Sequence, residues 1–188
     1  MGALTARLAS ANPHKLEELR AALPGWELSP VGEVEYPEET GTSYEENARA
    51  KARFGLVLDG SRTWVLGEDS GIEVEALGGE PGIHSARWAG NRDPVEALLE
   101  RVGDAGDRRA RYVCALVAVS PDGEERVGIG TLEGTVAREP RGDEGFGYDP
   151  IFVPDGEERT VAELGDAWKG RHSHRARAAA ALREQFDP

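Results

Sequence analysis

ALTARLASANPHKLEELRAALP, residues 3–24, is a short β-like segment that runs directly into a helical one. Ala3 to Ala9 alternates weakly, as a short strand does, whereas Pro13 to Leu23 places its leucines on one helical stripe. Asn12 is a suitable N-cap for this helix, and proline suits the first helical position because the N–H it lacks would have no partner there. The stretch therefore predicts a first strand that turns at once into a first helix.

The segments that follow continue this alternation of strands and helices. Ser43-x-x-Glu46 matches a capping box and predicts a second helix that begins at Thr42 or Ser43. Pro121-Asp122-Gly123 joins two long β-like stretches and is typical of a hairpin turn. The other predicted elements are strands over Trp26–Val31, Thr63–Gly67, Arg111–Ser120 and Glu125–Arg138, an alternating segment over Ile72–Glu75, a helix over Pro94–Val102 capped by Asp93, and a final helix from about Ser173 to Phe186. No repeat or linker interrupts the sequence, so we predict a single domain over residues 1–188.

Composition restricts the possible partners of the chain. Its 188 residues include 22 basic and 35 acidic side chains, and the net charge of −13 argues against binding a nucleic-acid duplex or an anionic membrane. A polyanionic ligand must then be met by a local group of cations, metal ions and backbone amides. The single cysteine, Cys114, lies in an apolar run and is expected to be a buried thiol. With no signal or membrane segment near the N-terminus, we expect a cytoplasmic protein.

A first group of polar side chains lies where the first strand meets the first helix. The hydroxyl of Ser10, the amide of Asn12, the ammonium of Lys15 and the free N–H groups of the helix start could all face one phosphate chain. An ordinary capped helix with a surface lysine would carry the same residues. Both interpretations stay open for this segment.

Two acidic pairs supply candidate metal ligands, Glu38-Glu39 in a loop and Glu68-Asp69 after an apolar strand. Carboxylate oxygens are the ligands that Mg²⁺ prefers, and this metal typically uses one or two of them together with substrate phosphates. Asp69 is presented by the end of a strand, where it could either bind the metal or take a proton from an attacking water. Most of the loop carboxylates are expected to be solvated, namely Glu33, Glu35 and Glu38.

A third group occupies the C-terminal part of the chain. Phe146 stands between Gly145 and Gly147, and these glycines let the backbone approach a ligand closely. The ring of Phe146 can then stack on a flat base. A carboxylate, an ammonium, an imidazole and a guanidinium follow, those of Asp149, Lys169, His174 and Arg175. Two cations at a helix start oppose the helix dipole, which favours a functional role, although a solvated basic turn is the alternative. We infer a nucleotide-binding pocket.

Taken in order, these blocks resemble the inosine triphosphate pyrophosphatase family, whose members hydrolyse non-standard purine nucleoside triphosphates. The resemblance runs from Ser10 to about Ala178 and consists of Ser10-Ala11-Asn12 with Lys15, Glu39-Thr40-Gly41, Glu46-Asn47-Ala48 with Lys51, Asp69-Ser70-Gly71, Pro81-Gly82 with Ser85-Ala86-Arg87, Gly145 to Pro150, Lys169, and Ser173-His174-Arg175. One such block is weak, but this many in this order are specific. The chain departs from the family at two positions, with Glu68 in place of the usual aspartate and Ala11 in place of the usual glycine.

The resemblance implies an elongated α/β body, in which a mixed β-sheet flanked by helices divides into two lobes with the active site in the cleft between them. It implies a homodimer that clears the nucleotide pool by Mg²⁺-dependent hydrolysis of ITP, dITP or XTP to the monophosphate and pyrophosphate. Asp69 is then the catalytic general base, and Glu39 and Asp69 hold the metal. The implied substrate-binding residues are Ser10, Asn12, Lys15, Lys51, Ser70, Phe146, Gly147, Tyr148, Asp149, Lys169, His174 and Arg175.

Three other functions compete with this one. A pyrophosphatase for modified pyrimidine nucleotides is disfavoured by the Ser173-His174-Arg175 block. A sensor that binds nucleotides without turnover is disfavoured because it has no use for a base, Asp69, beside a metal ligand, Glu39. RNA binding is disfavoured by the acidic charge and by the lack of clustered aromatic and basic residues. His84 has no second histidine or cysteine at ligand spacing, so we expect no zinc site.

Overall fold

The computed structural model describes residues 4–32, 34–60 and 62–186. Ala3, assigned above to the first strand, and Glu33, assigned to a solvated loop, lie outside these residues. The elements of the described chain are β1 (Leu4–Ala9), α1 (Pro13–Ala22), β2 (Trp26–Pro30), α2 (Tyr44–Asp59), β3 (Trp64–Val74), α3 (Pro94–Val102), β4 (Arg109–Val119), β5 (Glu125–Val136), β6 (Phe152–Pro154), α4 (Val161–Leu164), α5 (Asp166–His172) and α6 (His174–Arg183). Within these ranges we find no helix that is both long and apolar enough to cross a membrane.

The strands form one mixed sheet in the order β2-β1-β3-β4-β5-β6. β1 pairs in parallel with β2 and β3, whereas β4 pairs antiparallel with β3 and β5, and β6 closes the sheet antiparallel to β5. The predicted hairpin between β4 and β5 is therefore present. The predicted α/β fold with a mixed sheet and flanking helices is confirmed, while the two lobes and the single-domain extent stay predictions.

Both faces of the sheet are buried, because side chains along β4 alternate between two helical layers. On one face, side chains of α2 and β4 form a core that consists of Tyr44, Ala48, Ala52, Val113, Ala115, Val117 and Val119. On the other face α1 and α6 form a core that includes Leu8, Leu19, Cys114, Leu116, Ala118, Ala178 and Leu182. The thiol of Cys114 is fully buried, as predicted.

Side-chain caps begin several helices at the residues where the sequence predicted them. Asn12, Ser43, Asp93 and Ser173 each accept a hydrogen bond from a backbone N–H in the first turn of α1, α2, α3 and α6. Each cap satisfies a donor that the helix itself leaves unpaired. Two of these caps, Asn12 and Ser173, stand immediately before helices that carry predicted site residues. The local sequence therefore determines where these two helices begin.

β3 is longer than the sequence predicted, and the predicted strand end at Gly67 is wrong. The strand runs unbroken from Trp64 to Val74, and Asp69 pairs with Ala115 of β4 in its middle. What ends near this point is the neighbouring strand β1, whose last residue, Ala9, pairs with Gly67. The acidic residues that follow Gly67 therefore come directly after the place where β1 leaves the sheet and turns into α1.

Candidate active site

A cavity of about 270 Å³ lies beside the turn from β1 to α1. Residues from distant parts of the chain line it, namely Asn12, Lys15, Ser70, Gly71, Ser85, Ala86, Pro94, Tyr112, Phe146, Gly147, Tyr148, Asp149, Lys169, His174 and Arg175. Ser10 lines an adjoining depression together with Ala11 and Asn12. The fold thus gathers most of the predicted substrate-binding residues around one space. Three further predicted site residues, Glu39, Lys51 and Asp69, contact one another next to it.

The turn between β1 and α1 is shaped by its own polar side chains. The Oγ of Ser10 accepts a hydrogen bond from the backbone N–H of Asn12 (3.2 Å), and the Oδ1 of Asn12 accepts one from the N–H of His14 (3.0 Å). Lys15 is not an ordinary surface lysine, since its Nζ lies 2.6 Å from the Oε2 of the fully buried Glu68. The interpretation of this segment as an ordinary capped helix with a surface lysine is therefore wrong, and Lys15 lines the cavity.

Asp69 is a buried carboxylate held by two donors from α2. Its Oδ2 accepts a hydrogen bond from the Nδ2 of Asn47 (2.9 Å), and its Oδ1 accepts one from the Nζ of Lys51 (3.2 Å). Burial raises the pKa of Asp69 above its usual value; the carboxylates of Glu39 and Glu68 act in the same direction, against Lys51 and Asn47. A carboxylate with a raised pKa takes up a proton more readily, which suits a general base.

Lys51 also contacts Glu39, so the carboxylates of Glu39 and Asp69 lie beside the same ammonium. Its Nζ contacts the Oε1 of Glu39 and the Oδ1 of Asp69, and it donates to the backbone carbonyl of Glu68 at 3.1 Å. Arg87 holds the other carboxylate oxygen of Glu39 (Nη1 to Oε2, 2.6 Å). Burial alone would raise the pKa of Glu39, but these two cations outweigh it and lower that pKa. Burial alone would lower the pKa of Lys51, but Asp69 and Glu39 raise it, so the ammonium keeps its charge.

Glu39 and Asp69 fit a metal ion in their chemistry and placement. Both contact one ammonium, so their oxygens lie within reach of a single cation, and hard oxygen donors suit Mg²⁺. In the described ranges no group of three or more His, Cys, Asp or Glu residues is arranged to hold a metal. Water and substrate oxygens would therefore complete the coordination. Glu35 and Glu38 of the same loop are exposed, as predicted.

Glu68 anchors two cations rather than joining that group. Its Oε2 pairs with Lys15, and its Oε1 accepts from the Nη2 (2.9 Å) and Nε (3.2 Å) of Arg175 and from the thiol of Cys114 (3.4 Å). Burial opposes its charge, but Lys15 and Arg175 hold the pKa of Glu68 well below its usual range. Through these contacts Glu68, on β3, links α1 to α6. The sequence shows this position only as a departure from the family pattern and does not reveal this role.

Glu18 contacts two cations of the pocket, although no motif in the sequence singled it out. Its Oε1 contacts the Nζ of Lys169, and its Oε2 contacts the Nη1 of Arg175. The side chains of both cations are only 2% exposed, so Glu18 neutralises charges that water does not reach. A signal was available, because Glu18 lies three residues after Lys15 on α1 and positions i and i+3 share one face of a helix.

Asp149 organises the loop that carries Phe146. Its Oδ2 accepts from the backbone N–H of Phe146 (2.9 Å) and from the Nζ of Lys169 (2.7 Å), while the hydroxyl of Tyr112 donates to its Oδ1 (3.2 Å). Burial raises the pKa of Asp149, with Lys169 opposing it. Gly145 and Gly147 have φ values of +81° and +63°, as the predicted close approach requires. A Cβ at Gly145 would lie 2.3 Å from the Asp149 carboxylate.

The ring of Phe146 lies close to two cations and a second ring. Lys169 Nζ is 4.7 Å and Arg175 Cζ 5.6 Å from its centroid, within cation–π range. The imidazole of His14, a residue that the sequence analysis did not single out, stacks with it at 5.3 Å and an interplanar angle of 21°. The hydroxyl of Tyr148 donates to the carbonyl of Ser85 (3.0 Å) and fixes the far end of the loop. The half-buried ring thus forms one wall of the cavity.

His174 and Arg175 open α6, and both are buried, so a solvated basic turn is wrong. The imidazole of His174 stacks on the ring of Tyr112 at 4.6 Å and 15°. Burial, reinforced by the charge of Arg175, holds the pKa of His174 well below its usual range, so this helix start carries one cation rather than two. The Nδ1 of His174 is buried and makes no hydrogen bond within the part of the chain that the structure describes. The ring can therefore offer a neutral polar atom to a ligand.

These features define an α/β protein with a charge-lined pocket beside a buried carboxylate, Asp69. The Ham1 family model matches residues 6–185. Relatives named dITP/XTP pyrophosphatase include those of Symbiobacterium thermophilum, 49% identical over 187 residues that cover 95% of this chain and 93% of the relative, and of Deinococcus deserti, 44% identical over 180 residues that cover 93% and 86%. The solved Ham1 protein of Staphylococcus aureus covers 97% of this chain and 98% of its own at 37% identity and a TM-score of 0.84; that of Coxiella burnetii covers the same shares at 36% and 0.85.

The chain therefore belongs to the Ham1 family. This confirms the family resemblance drawn from its motifs. The match covers nearly the full chain, so it includes every element that carries the site described above.

Proposed function

We propose that this chain hydrolyses non-canonical purine nucleoside triphosphates, namely ITP or dITP and XTP, to the nucleoside monophosphate and pyrophosphate, with Mg²⁺ as cofactor. The observation that carries the proposal is the position of Asp69, a buried carboxylate with a raised pKa next to Ser70, which lines the cavity. The relatives named dITP/XTP pyrophosphatase support the reaction type and the substrate class.

The phosphate chain binds at the turn between β1 and α1 in this proposal. The hydroxyl of Ser10, the amide of Asn12 and the free N–H groups at the start of α1 supply neutral donors, and Lys15 supplies a positive charge. Lys51 adds a second ammonium from α2. Because the chain as a whole is acidic, these few groups must provide most of the attraction for the phosphates.

The base binds at the other end of the cavity, against Phe146 and beneath Lys169, His174 and Arg175. Contacts with Glu68, Ser70 and Glu18 commit the guanidinium of Arg175 except for a hydrogen on Nη1. That hydrogen is a fixed donor for the 6-oxygen of hypoxanthine or xanthine. Adenine carries an amino group at this position and would leave the donor buried and unpaired. Such a mismatch can disfavour the adenine nucleotide by ~10⁴-fold relative to the 6-oxo purines.

Asp69 performs the proton chemistry in the proposed reaction. Its carboxylate orients a water for in-line attack on the triphosphate and accepts the proton that the water loses. Asn47 holds one oxygen of this carboxylate in place, so the other oxygen is presented in a fixed direction. Glu39 and Asp69 would hold a magnesium ion, which would supply Lewis-acid stabilisation of charge on the phosphate oxygens.

We further propose that the enzyme is a cytoplasmic homodimer that removes non-canonical nucleotides from the nucleotide pool. The family resemblance supports the dimer, and the buried free thiol of Cys114 is compatible with a reducing compartment. Light scattering tests the assembly directly. A homodimer gives twice the chain mass of 20.2 kDa, and a particle of the chain mass alone contradicts this part of the proposal.

Pyrophosphate release from ITP, XTP, GTP and ATP, with and without Mg²⁺, tests the activity. We expect fast turnover of ITP and XTP only, dependence on Mg²⁺, and near-complete loss in Asp69→Asn. Glu38→Gln is the matched control, since Glu38 is an exposed carboxylate of the loop that carries Glu39, and it should retain wild-type turnover. Tight binding of ITP without pyrophosphate release would identify a sensor instead, and wild-type turnover in Asp69→Asn would remove the assigned base.

A further inference from the structure

The ammonium of Lys51 occupies a position that a metal ion would suit. It contacts the Oε1 of Glu39, lies 3.2 Å from the Oδ1 of Asp69 and donates to the carbonyl oxygen of Glu68 at 3.1 Å. All three partners are oxygen atoms, and an ammonium has as many N–H donors as it has partners here. In this arrangement Lys51 has no donor left for a phosphate group. The side chain is 15% exposed, so little water competes for these contacts.

The two carboxylates are held in place by residues other than Lys51. Arg87 donates to the Oε2 of Glu39 at 2.6 Å and to its backbone carbonyl at 3.3 Å. Asn47 donates to the Oδ2 of Asp69 at 2.9 Å. Each carboxylate therefore keeps a fixed partner on one oxygen and turns the other towards the ammonium. Lys51 itself is attached through a flexible four-carbon stem, so it is the member of the group that can leave.

We propose that Lys51 acts as a resident cation, neutralising Glu39 and Asp69 in the nucleotide-free protein and keeping divalent metal affinity low until a triphosphate draws the ammonium away. The inference rests on the proposed function, which places the metal at these two carboxylates. It adds an order of events, because metal and nucleotide then bind together. The same ammonium that blocks the metal site becomes a phosphate ligand when the substrate arrives.

The electrostatic effect of this arrangement is large enough to measure. Two carboxylates attract a divalent ion strongly when they are unpaired, and a single positive charge within about 4 Å removes much of that attraction in a partly buried site. Removing the charge while keeping a side chain of similar reach should therefore strengthen metal binding by about tenfold or more. A lysine that served only to bind phosphates would instead leave metal affinity unchanged when replaced.

Mn²⁺ binding to the nucleotide-free protein, measured by electron paramagnetic resonance or calorimetry, tests the proposal. We expect Lys51→Gln to bind Mn²⁺ at least about tenfold more tightly than the wild type. Arg53→Gln is the charge-matched control, because Arg53 also lies on α2 but pairs with Glu125. It should leave Mn²⁺ affinity unchanged. The double variant Lys51→Gln/Glu39→Gln should lose the gain, which locates the bound ion. Equal or weaker binding by Lys51→Gln overturns the proposal.

Thermal unfolding with and without Mn²⁺ keeps the test valid if Lys51→Gln is destabilised. Unpaired carboxylates should make the metal-free variant less stable, and Mn²⁺ should raise its melting temperature more than that of the wild type. A variant that remains folded without this larger rise contradicts the inference. Hydrolysis of ITP by the wild type distinguishes failure of this inference from failure of the proposed function. If the wild type turns over ITP but Lys51→Gln has unaltered Mn²⁺ affinity, only the resident-cation proposal is refuted. If the wild type turns over no nucleotide, the proposed function is refuted.

Discussion

Replacing Glu18 by glutamine tests whether the charges beneath the pocket depend on one carboxylate of α1. Glu18 pairs with Lys169 and with Arg175, whose side chains are each 2% exposed, and its own side chain is 12% exposed. Glutamine keeps the size and one acceptor oxygen but removes the negative charge. The substitution therefore leaves two buried cations with one fewer counter-charge, without opening a cavity.

The magnitude follows from what remains after the change. Removing one partner of a buried ion pair typically destabilises a protein by about 3–5 kcal/mol. Here Lys169 keeps Asp149 at 2.7 Å and Arg175 keeps Glu68 at 2.9 Å, so neither cation is left alone. We expect a loss of about 2–3 kcal/mol in the free energy of unfolding. For a chain of this length that corresponds to a melting temperature lower by roughly 5–10 °C.

Urea denaturation at neutral pH measures this loss, with Glu17→Gln as the control. Glu17 is the exposed neighbour of Glu18 on α1, and its replacement should change stability by less than about 0.5 kcal/mol. Because the Glu18 pairs are buried, the difference between the two variants should persist in high salt, which screens exposed pairs. Equal stability of Glu18→Gln and Glu17→Gln would refute the view that Glu18 neutralises the cations of the pocket.

Two further predictions concern α6 and the way it is seated. Burial and Arg175 hold the pKa of His174 below its usual range, so the unfolded chain takes up a proton first and stability falls as pH drops below about 6.5, by up to ~1.4 kcal/mol per pH unit. Unfolding measured from pH 7.5 to 5.5 should show a shallower slope in His174→Gln, and an identical slope would contradict this. Gly130→Ala would place a Cβ 2.4 Å from the backbone nitrogen of Ala178 and should destabilise by about 1–3 kcal/mol in urea melts. At Gly106 a Cβ meets nothing within 4 Å, so comparable losses in Gly106→Ala and Gly130→Ala would contradict the packing argument.

The helix starts could be predicted from the sequence because their causes are local. A side chain such as that of Asn12 or Ser173 bonds a backbone N–H two or three residues away, so the cap and its helix are encoded together. The hairpin between β4 and β5 is local in the same sense. Residues that depend on one cap, such as Lys15 after Asn12 or Arg175 after Ser173, were therefore placed correctly at the start of a helix.

The extent of β3 could not be predicted because its middle does not follow the pattern of a buried strand. Glu68, Asp69 and Ser70 interrupt the apolar run, and local patterning interprets such a group as the end of a strand. In the structure these residues keep their backbone pairing with β4 while cations and amides from other elements satisfy their side chains. The stabilising partners are remote in sequence, so the local pattern carries no trace of them.

For Glu18 the sequence carries only a partial signal: its spacing from Lys15 places both residues on one face of α1, but it does not show which buried cations Glu18 contacts. Its contact with Arg175 joins residues that are 157 positions apart, and a glutamate on an amphipathic helix is ordinarily solvated. Only the docking of α1 and α6 on the same face of the sheet shows that this carboxylate is directed inward. The sequence therefore points to a candidate reactive group such as Asp69 more readily than to a group such as Glu18 that holds other side chains in position.

The pairing of every pocket cation changes how an acidic protein can attract a triphosphate. Local cations were expected to meet the substrate, and they are present, but carboxylates already accompany them: Lys15 with Glu68, Lys51 with Glu39 and Asp69, Lys169 with Glu18 and Asp149, and Arg175 with Glu18 and Glu68. Such a pocket holds its cations in fixed positions, yet it projects little positive field into solution, so it attracts a bare triphosphate weakly. Under the proposed function, a nucleotide that arrives with its metal ion would bring the missing positive charge, and the pocket would then select by position rather than by long-range attraction.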